Sequence, residues 1–319
     1  MNFIKTKISE GLSHLPRFKV ANLLTDPMVY NYKIALIPLR LDIDQFEHET
    51  SETTNYKILK IKEKYSKDIQ NQIVFISKEA AKAGAKLIIF GELSYPIIED
   101  ETLSMELYNI CRRYDCIIIP GSYHELRMRD FGLNKSPIFT PYSHKPFTQV
   151  KNSRGFYIGE PEETRILSSK EISLFKSKYG TFIVTLGTDI IDSNLNWNVR
   201  VLNEPDNIYT SIDLIIVPCF TDKPAEFIHW CKDLSLATMS YVIFINSIKM
   251  KNYSAVFING KKSQSWAIED SMLDDTPIKF YDIDLINLYR LRASKKLTRR
   301  SRFFHSEITK NIEDMNNYG

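Results

Sequence analysis

The sequence lacks any apolar run long enough to cross a membrane. Its longest apolar stretches, residues 212–220 and 241–245, fall far short of the roughly 20 residues that a spanning helix needs. The first residues, MNFIKTKISEGLSHLP, contain no sustained apolar segment and no small-residue cleavage site. These absences predict a protein with no membrane segment and no secretion signal, located in the cytoplasm.

Cysteine is also scarce, and neither sign of charge is in large excess. The four cysteines among 319 residues form no Cys-x-x-Cys pair, which indicates reduced, buried thiols and excludes a disulfide framework. Lys and Arg total 42 against 39 Asp and Glu, so the net charge of +3 does not by itself indicate a nucleic-acid partner. We expect neither a metal site nor a cofactor.

The sequence is rich in segments with the periodicity of strands and helices. Apolar runs predict strands at residues 33–39, 86–90, 116–120, 137–140, 181–186, 212–218, 241–246, 254–258 and 278–283. Apolar residues at spacings of three and four predict a long helix that carries Ile58, Ile61, Tyr65, Ile69, Ile73, Ile76 and Ala80. Two shorter helices are predicted, one over residues 103–114 and one around residues 227–237. No repeat or linker interrupts the chain, so one mixed α/β domain is the expectation.

Polar residues follow several of these strands, where α/β proteins tend to place their sites. Glu92 follows the strand KLIIF, and Glu125 lies in the string GSYHE. Lys151 follows a strand and a turn in NKSPIFTPYSHKPFTQVK. Taken singly, each of these residues is typical of an ordinary protein surface.

A fourth segment makes the set recognisable. Residues 175–190, FKSKYGTFIVTLGTDI, have the order glycine, apolar strand, short turn and aspartate. Together with Glu92 and Lys151, this order resembles that of the nitrilase (carbon-nitrogen hydrolase) superfamily. The match continues through DLIIVP at residues 213–218, the HW pair at 229–230 and the RR pair at 299–300, and so covers about residues 32 to 304.

The resemblance implies a four-layer α/β/β/α sandwich that often pairs into a homodimer. In the family a cysteine thiolate attacks a nitrile or amide carbon, a glutamate transfers protons and a lysine stabilises the oxyanion. These roles fall on Glu92 and Lys151, with Glu125 as the second glutamate that positions the lysine. The cysteine position, however, is occupied by Gly187.

Loss of the nucleophile predicts a protein that does not perform the family's reaction. Removing the nucleophile from such a catalytic unit costs about six orders of magnitude in turnover. Two pocket residues offer alternatives: Thr188, which is adjacent but lacks an evident base, and Cys219, which follows a strand at the expected rim of the pocket. A pseudoenzyme that binds a ligand or an interaction partner is therefore the first interpretation, and a hydrolase with Cys219 as a displaced nucleophile is the second.

The ends of the chain define the remaining expectations. We expect an N-terminal arm over residues 1–31, the nitrilase-like domain over 32–305 and a polar tail over 306–319. A homodimer or larger homo-oligomer is expected, with a protein partner or a small-molecule ligand also open. Cations clustered between Arg290 and Arg302 raise nucleic acid as a weaker alternative, since clustered cations can contact phosphates. The resemblance to the nitrilase superfamily adds the partner module of a reverse-transcriptase antiviral system as one such function.

Overall fold

A computed structural model provides the fold. It describes residues 17–23, 27–50, 57–97, 101–127, 131–153, 156–157, 160–161, 171–192, 211–249, 253–267 and 278–294. The expected polar tail and the cations from Lys295 onward lie outside the described residues.

Eighteen strands are present among the described residues. They are β1 Arg17–Asn22, β2 Asn31–Ile37, β3 Phe46–Thr50, β4 Lys57–Ile61, β5 Ala85–Phe90, β6 Ile117–Ile119, β7 Tyr123–Arg127, β8 Phe131–Thr140, β9 Ser143–Val150, β10 Phe156–Tyr157, β11 Glu160–Pro161, β12 Glu171–Ser177, β13 Gly180–Val184, β14 Leu214–Cys219, β15 Tyr241–Asn246, β16 Tyr253–Ile258, β17 Lys261–Ala267 and β18 Lys279–Asp284. The helices of the same part of the chain are α1 Glu63–Lys82, α2 Thr102–Tyr114, α3 Pro224–Thr238 and α4 at residues 285–294, together with short 3-10 turns at Ile43–Gln45 and Gly187–Ile190.

Most of these strands form two large sheets. The first has the order β1-β12-β13-β14-β15-β16-β17, and the second has the order β18-β2-β5-β6-β8-β7, with β9 paired to β8. The central strands β2, β5 and β6 run parallel, as do β13, β14 and β15. Parallel strands put their carboxyl ends at one edge of each sheet, where α/β proteins collect polar side chains.

The two sheets pack face to face, and helices cover their outer faces. Ile34 and Ile89 of one sheet meet Val184 and Ile216 of the other in a shared apolar core. The helices α1 and α2 pack on the outside of the second sheet, and α3 packs on the outside of the first. This arrangement is the α/β/β/α sandwich that the sequence predicts. The strands read as continuous apolar runs because both of their faces are buried.

The first part of the predicted long helix is wrong. Residues Ile58 and Ile61 lie in β4, which forms a hairpin with β3, and the helix begins only at Glu63. Their spacing of three fits a helix turn, but hairpin pairing and burial decide the local structure instead.

Residues 17–22, which fall inside the expected N-terminal arm of residues 1–31, form the strand β1 and pair in parallel with β12. The first sheet therefore includes chain from before residue 32. Among the described residues, no helix has the length and apolarity needed to cross a membrane.

Candidate functional site

The ends of four strands bring the candidate site residues together. Glu92 lies just after β5 and Lys151 directly after β9, while Gly187 and Phe220 follow β13 and β14. The backbone N–H of Glu92 donates to the carbonyl of Cys219 over 3.3 Å, which joins the end of β5 to the end of β14. The site therefore spans the edge of both sheets.

Glu92 and Lys151 form an ion pair inside the protein. Lys151 Nζ lies 2.8 Å from Glu92 Oε1, and the two side chains are only 2% and 1% exposed. The Nδ2 group of Asn134 donates to the same oxygen over 2.9 Å, and the backbone N–H of Phe220 donates to Oε2 over 3.2 Å. Buried charges persist only when they are paired and hydrogen-bonded, and here both carboxylate oxygens have donors.

Gly187 lies directly against this ion pair. A Cβ atom placed on Gly187 would lie 2.7 Å from Glu92 Oε2 and 3.2 Å from Lys151 Nζ. The backbone φ of Gly187 is +45°, in the left-handed region that L side chains rarely adopt. The structure thus groups positions 92, 151 and 187, and it fills the space beside position 187 with the carboxylate of Glu92.

The aspartate two positions after Gly187 ties the site together. Asp189 Oδ1 accepts from the backbone N–H of Asn152 at 2.8 Å, and from the N–H and hydroxyl of Ser153 at 2.7 and 2.8 Å. Its Oδ2 accepts from the N–H of Leu186 at 3.2 Å. Asp189 therefore links the segment after Lys151 to the turn that holds Gly187.

The buried position of Asp189 also affects its ionisation. Burial raises the pKa of Asp189 to about 7, while the nearby charge of Lys151 and the donors from Ser153 and Asn152 act in the opposite direction. The Asp189 carboxyl, next to the Glu92–Lys151 pair, therefore keeps its proton to a higher pH than an ordinary aspartate does.

The other expected site residues lie differently. Glu125, expected to position Lys151, forms an ion pair with Lys135, and its side chain is 36% exposed. Thr188 is half-buried, and its hydroxyl oxygen lies 3.1 Å from the hydroxyl oxygen of Ser153.

The Cys219 side chain belongs to the apolar layer beneath α3. It is completely buried in one cluster with Phe227, Cys231 and Leu234. Burial raises the pKa of the Cys219 thiol well above its usual value, and the negative charge of Glu92 adds to this effect. The thiol is held in its unreactive, protonated form.

Two contributors were not predicted as site residues. Asn134 is the first residue of the string NKSPIFTPYSHKPFTQVK that leads to Lys151, and its amide donates to Glu92. The second is the main-chain N–H of Phe220. The alternation of side chains along β8 carried a weak signal for Asn134, whereas a backbone donor leaves no signal in a sequence.

A hairpin covers one side of the site. Phe46 of β3 packs against Phe220 with ring centroids 5.2 Å apart, and the N–H of Leu59 in β4 donates to His124 Nδ1 over 3.1 Å. A groove with an empty volume of about 220 Å³ lies beside this hairpin and is lined by Phe46, Leu59, Lys60, Ile61, Leu93, Tyr95, Ile97, Tyr123 and His124. Its lining is mostly apolar and aromatic.

Of the C-terminal cations, Arg292 has an internal role. Its Nη1 donates to Asp213 Oδ1 over 2.7 Å, and its Nε donates to the carbonyl of Met239 over 3.0 Å. This arginine anchors α4 to the first sheet, and these two guanidinium donors are used inside the protein rather than for contact with a phosphate. Among the described residues, no cluster of three or more His, Cys, Asp or Glu side chains is arranged to hold a metal ion.

Known proteins resemble this chain in structure but not detectably in sequence. No family model matches the sequence, and no curated protein matches it either. Solved structures do match the fold. Nit3 of Saccharomyces cerevisiae, a member of branch 10 of the nitrilase superfamily, is 16% identical with a TM-score of 0.59, and the match covers 85% of this chain and 96% of that one.

Two bacterial structures agree with this result. XC1258 from Xanthomonas campestris, a CN-hydrolase superfamily protein, is 13% identical with a TM-score of 0.61, over 83% of this chain and 95% of that one. A carbon-nitrogen hydrolase from Helicobacter pylori G27 is 12% identical with a TM-score of 0.57, over 85% and 94% of the two chains. At such low identity the likeness concerns the fold alone. The chain has the α/β/β/α fold of the nitrilase superfamily.

Proposed function

We propose that this protein is a nitrilase-fold pseudoenzyme that acts as a binding or assembly module. The observation that carries the proposal is the contact at Gly187, where a Cβ atom would lie 2.7 Å from a carboxylate oxygen of Glu92. A nucleophile at this position would need both a side chain and room for an electrophilic carbon in front of it. The position has no side chain, and the carboxylate fills the adjacent space.

The two retained charged residues support the same conclusion. A catalytic lysine stabilises a developing oxyanion, and a catalytic glutamate receives a proton from the nucleophile. Lys151 instead lies 2.8 Å from Glu92, with both side chains almost fully buried. Their polar groups stabilise the junction between the strand ends, which gives a reason to keep them in a protein without catalysis.

The alternative nucleophiles receive little support from their surroundings. Thr188 is half-buried, and its hydroxyl oxygen lies 3.1 Å from the hydroxyl oxygen of Ser153, which is not a general base. Cys219 is packed among apolar side chains, and its thiol has a raised pKa. An active hydrolase would need a rearrangement that exposes one of these groups.

Outer helices supply surface for an assembly role. Phe75 on α1, Met105 on α2 and Leu236 on α3 are large apolar side chains that are 61%, 46% and 50% exposed. They lie on the outer helical layers, and the resemblance to the nitrilase superfamily implies that two sandwiches pair through such layers. We infer that the chain forms a homodimer or larger assembly, and light scattering that gives the monomer mass at micromolar concentration would refute this part of the proposal.

Activity measurements test the pseudoenzyme proposal. The purified protein is incubated with a panel of aliphatic and aromatic amides and nitriles, and ammonia release is measured. We expect no release above that of Glu92→Gln. The matched control is Glu79→Gln, since Glu79 is a surface glutamate of α1 that pairs with Lys82 and lies outside the candidate site. Release that Glu92→Gln abolishes and Glu79→Gln preserves would show an active enzyme.

A second pair of variants tests the displaced nucleophile. If Cys219 attacked the substrate, Cys219→Ala would abolish any turnover and Cys231→Ala would not. Both thiols are fully buried in the same cluster, so the two variants share any general packing defect. We expect both variants to match the wild type.

A further inference from the structure

Two cysteines lie side by side at the end of helix α2. The helix ends at Tyr114, and Asp115 follows in the left-handed conformation with φ of 50°. The N–H groups of Asp115 and Cys116 both point back to the carbonyl of Cys111, the latter over 3.2 Å. A helix that ends in a left-handed residue places the next residue, here Cys116, against a residue of the last helical turn, here Cys111. Here both of those residues are cysteines.

The two side chains share one buried environment. Both are 0% exposed within the core beneath α2. The backbone hydrogen bond from Cys116 to Cys111 is compatible with the Cα separation of about 4.4 to 6.8 Å that a disulfide needs. The backbone geometry therefore allows a disulfide between these two cysteines.

Reagent access distinguishes this pair from the other two cysteines. Cys219 lies in a central strand and Cys231 in the middle of α3, so exposing them requires α3 to leave the sheet. Burial raises the pKa of the Cys111 thiol as it raises that of Cys219, so either thiol reacts only when the structure around it opens. Cys111 and Cys116 lie at a helix end, and helix ends open at a lower free energy than the rest of a fold. The cap itself is at the surface, since the Asp115 side chain is 46% exposed.

We propose that Cys111 and Cys116 form an oxidisable dithiol that a low-molecular-weight disulfide converts into an intrachain disulfide. One cysteine attacks the small disulfide, a mixed disulfide forms and one small thiol leaves. The second cysteine then displaces the other small thiol. Two protein thiols are oxidised, one small disulfide is reduced to two thiols, and the two protein protons pass to the departing thiolates.

The product would lock α2 to β6, and β6 leads to the candidate site. Three residues after this strand, the hydroxyl of Ser122 accepts from the N–H of Leu93 over 3.1 Å, and its carbonyl accepts from the N–H of Tyr95 over 3.1 Å. Leu93 is the neighbour of Glu92. The dithiol is thus connected to the loop of the site, although the proposal does not depend on the function of that site.

Peptide mapping tests the proposal directly, because trypsin cuts at Arg112 and Arg113, between the two cysteines. The reduced full-length protein is incubated with oxidised glutathione under native conditions, blocked with N-ethylmaleimide and digested without reductant. We expect a two-chain species in which residues 87–112 are joined to residues 114–127, lighter by two hydrogens than the sum of the two peptides. Dithiothreitol should separate them.

Variants give the matched controls. Cys231→Ala should yield the same joined peptides at the same glutathione concentration, whereas Cys111→Ala should yield none. The wild-type map decides the matter even if Cys111→Ala fails to fold. Blocked, separate Cys111 and Cys116 peptides at equilibrium would overturn the proposal, and so would oxidation of Cys219 or Cys231 at a lower glutathione concentration.

Discussion

Adding one methyl group at Gly187 should destabilise the protein more than its backbone conformation alone explains. In Gly187→Ala, the new Cβ atom would meet Glu92 Oε2 at 2.7 Å, a distance at which something must move. The left-handed φ of +45° costs about 1 to 2 kcal/mol for a residue with a Cβ atom. Displacing the carboxylate from Lys151 adds about 3 to 5 kcal/mol if the buried pair breaks.

The expected total is therefore between about 4 and 7 kcal/mol when the ion pair breaks. The control is Gly84→Ala. Gly84 has a φ of +89°, and no atom lies within 4 Å of a Cβ placed there, so this variant measures the conformational cost alone. We expect its loss to be about 1 to 2 kcal/mol.

Urea unfolding followed by circular dichroism gives both free energies of unfolding. A loss in Gly187→Ala no larger than that in Gly84→Ala would refute the reasoning, because it would show that the space beside position 187 is open. Gly187→Cys should show the same destabilisation and no amide hydrolysis, since its Cβ atom meets the same carboxylate.

Three further changes probe the buried charges. Lys151→Met should cost about 3 to 5 kcal/mol by leaving the carboxylate of Glu92 unpaired, and adding Glu92→Gln should recover part of that loss in a double-mutant cycle. Arg292→Met should destabilise the protein by a similar amount because Asp213 is only 4% exposed, and a loss below about 0.5 kcal/mol would contradict the assigned anchoring role. Because burial raises the pKa of Asp189 to about 7, the folded state holds this proton more tightly than the unfolded state, so the contribution of Asp189 to stability falls by up to about 4 kcal/mol as pH rises from 4 to 7. Asp189→Asn should remove that part of the pH dependence in urea unfolding, and an unchanged pH profile would show that the group titrates elsewhere.

The sequence determined the architecture because its signals are local. Short apolar runs such as KLIIF are typical of strands covered on both faces, and the stripe from Tyr65 to Ala80 is typical of a helix packed on a sheet. The order of these elements predicted a mixed α/β domain, and the resemblance to the nitrilase superfamily implied the four-layer sandwich.

Local signals failed where long-range pairing decides the structure. Ile58 and Ile61 fit a helical stripe as well as a strand, and only their pairing with β3 settles which of the two they form. The ion pair between Glu125 and Lys135 likewise joins the neighbouring strands β7 and β8, and the string GSYHE gives no sign of it.

The sequence alone determined that position 187 has no nucleophilic side chain. Only the tertiary structure decided what stands there instead, because the contact of Glu92 with Lys151 joins strands that lie 59 residues apart in the chain. The sequence gives the chemical groups that are present but not the distances between them. The distance of 2.7 Å between a hypothetical Cβ atom and a carboxylate exists only once both sheets have packed.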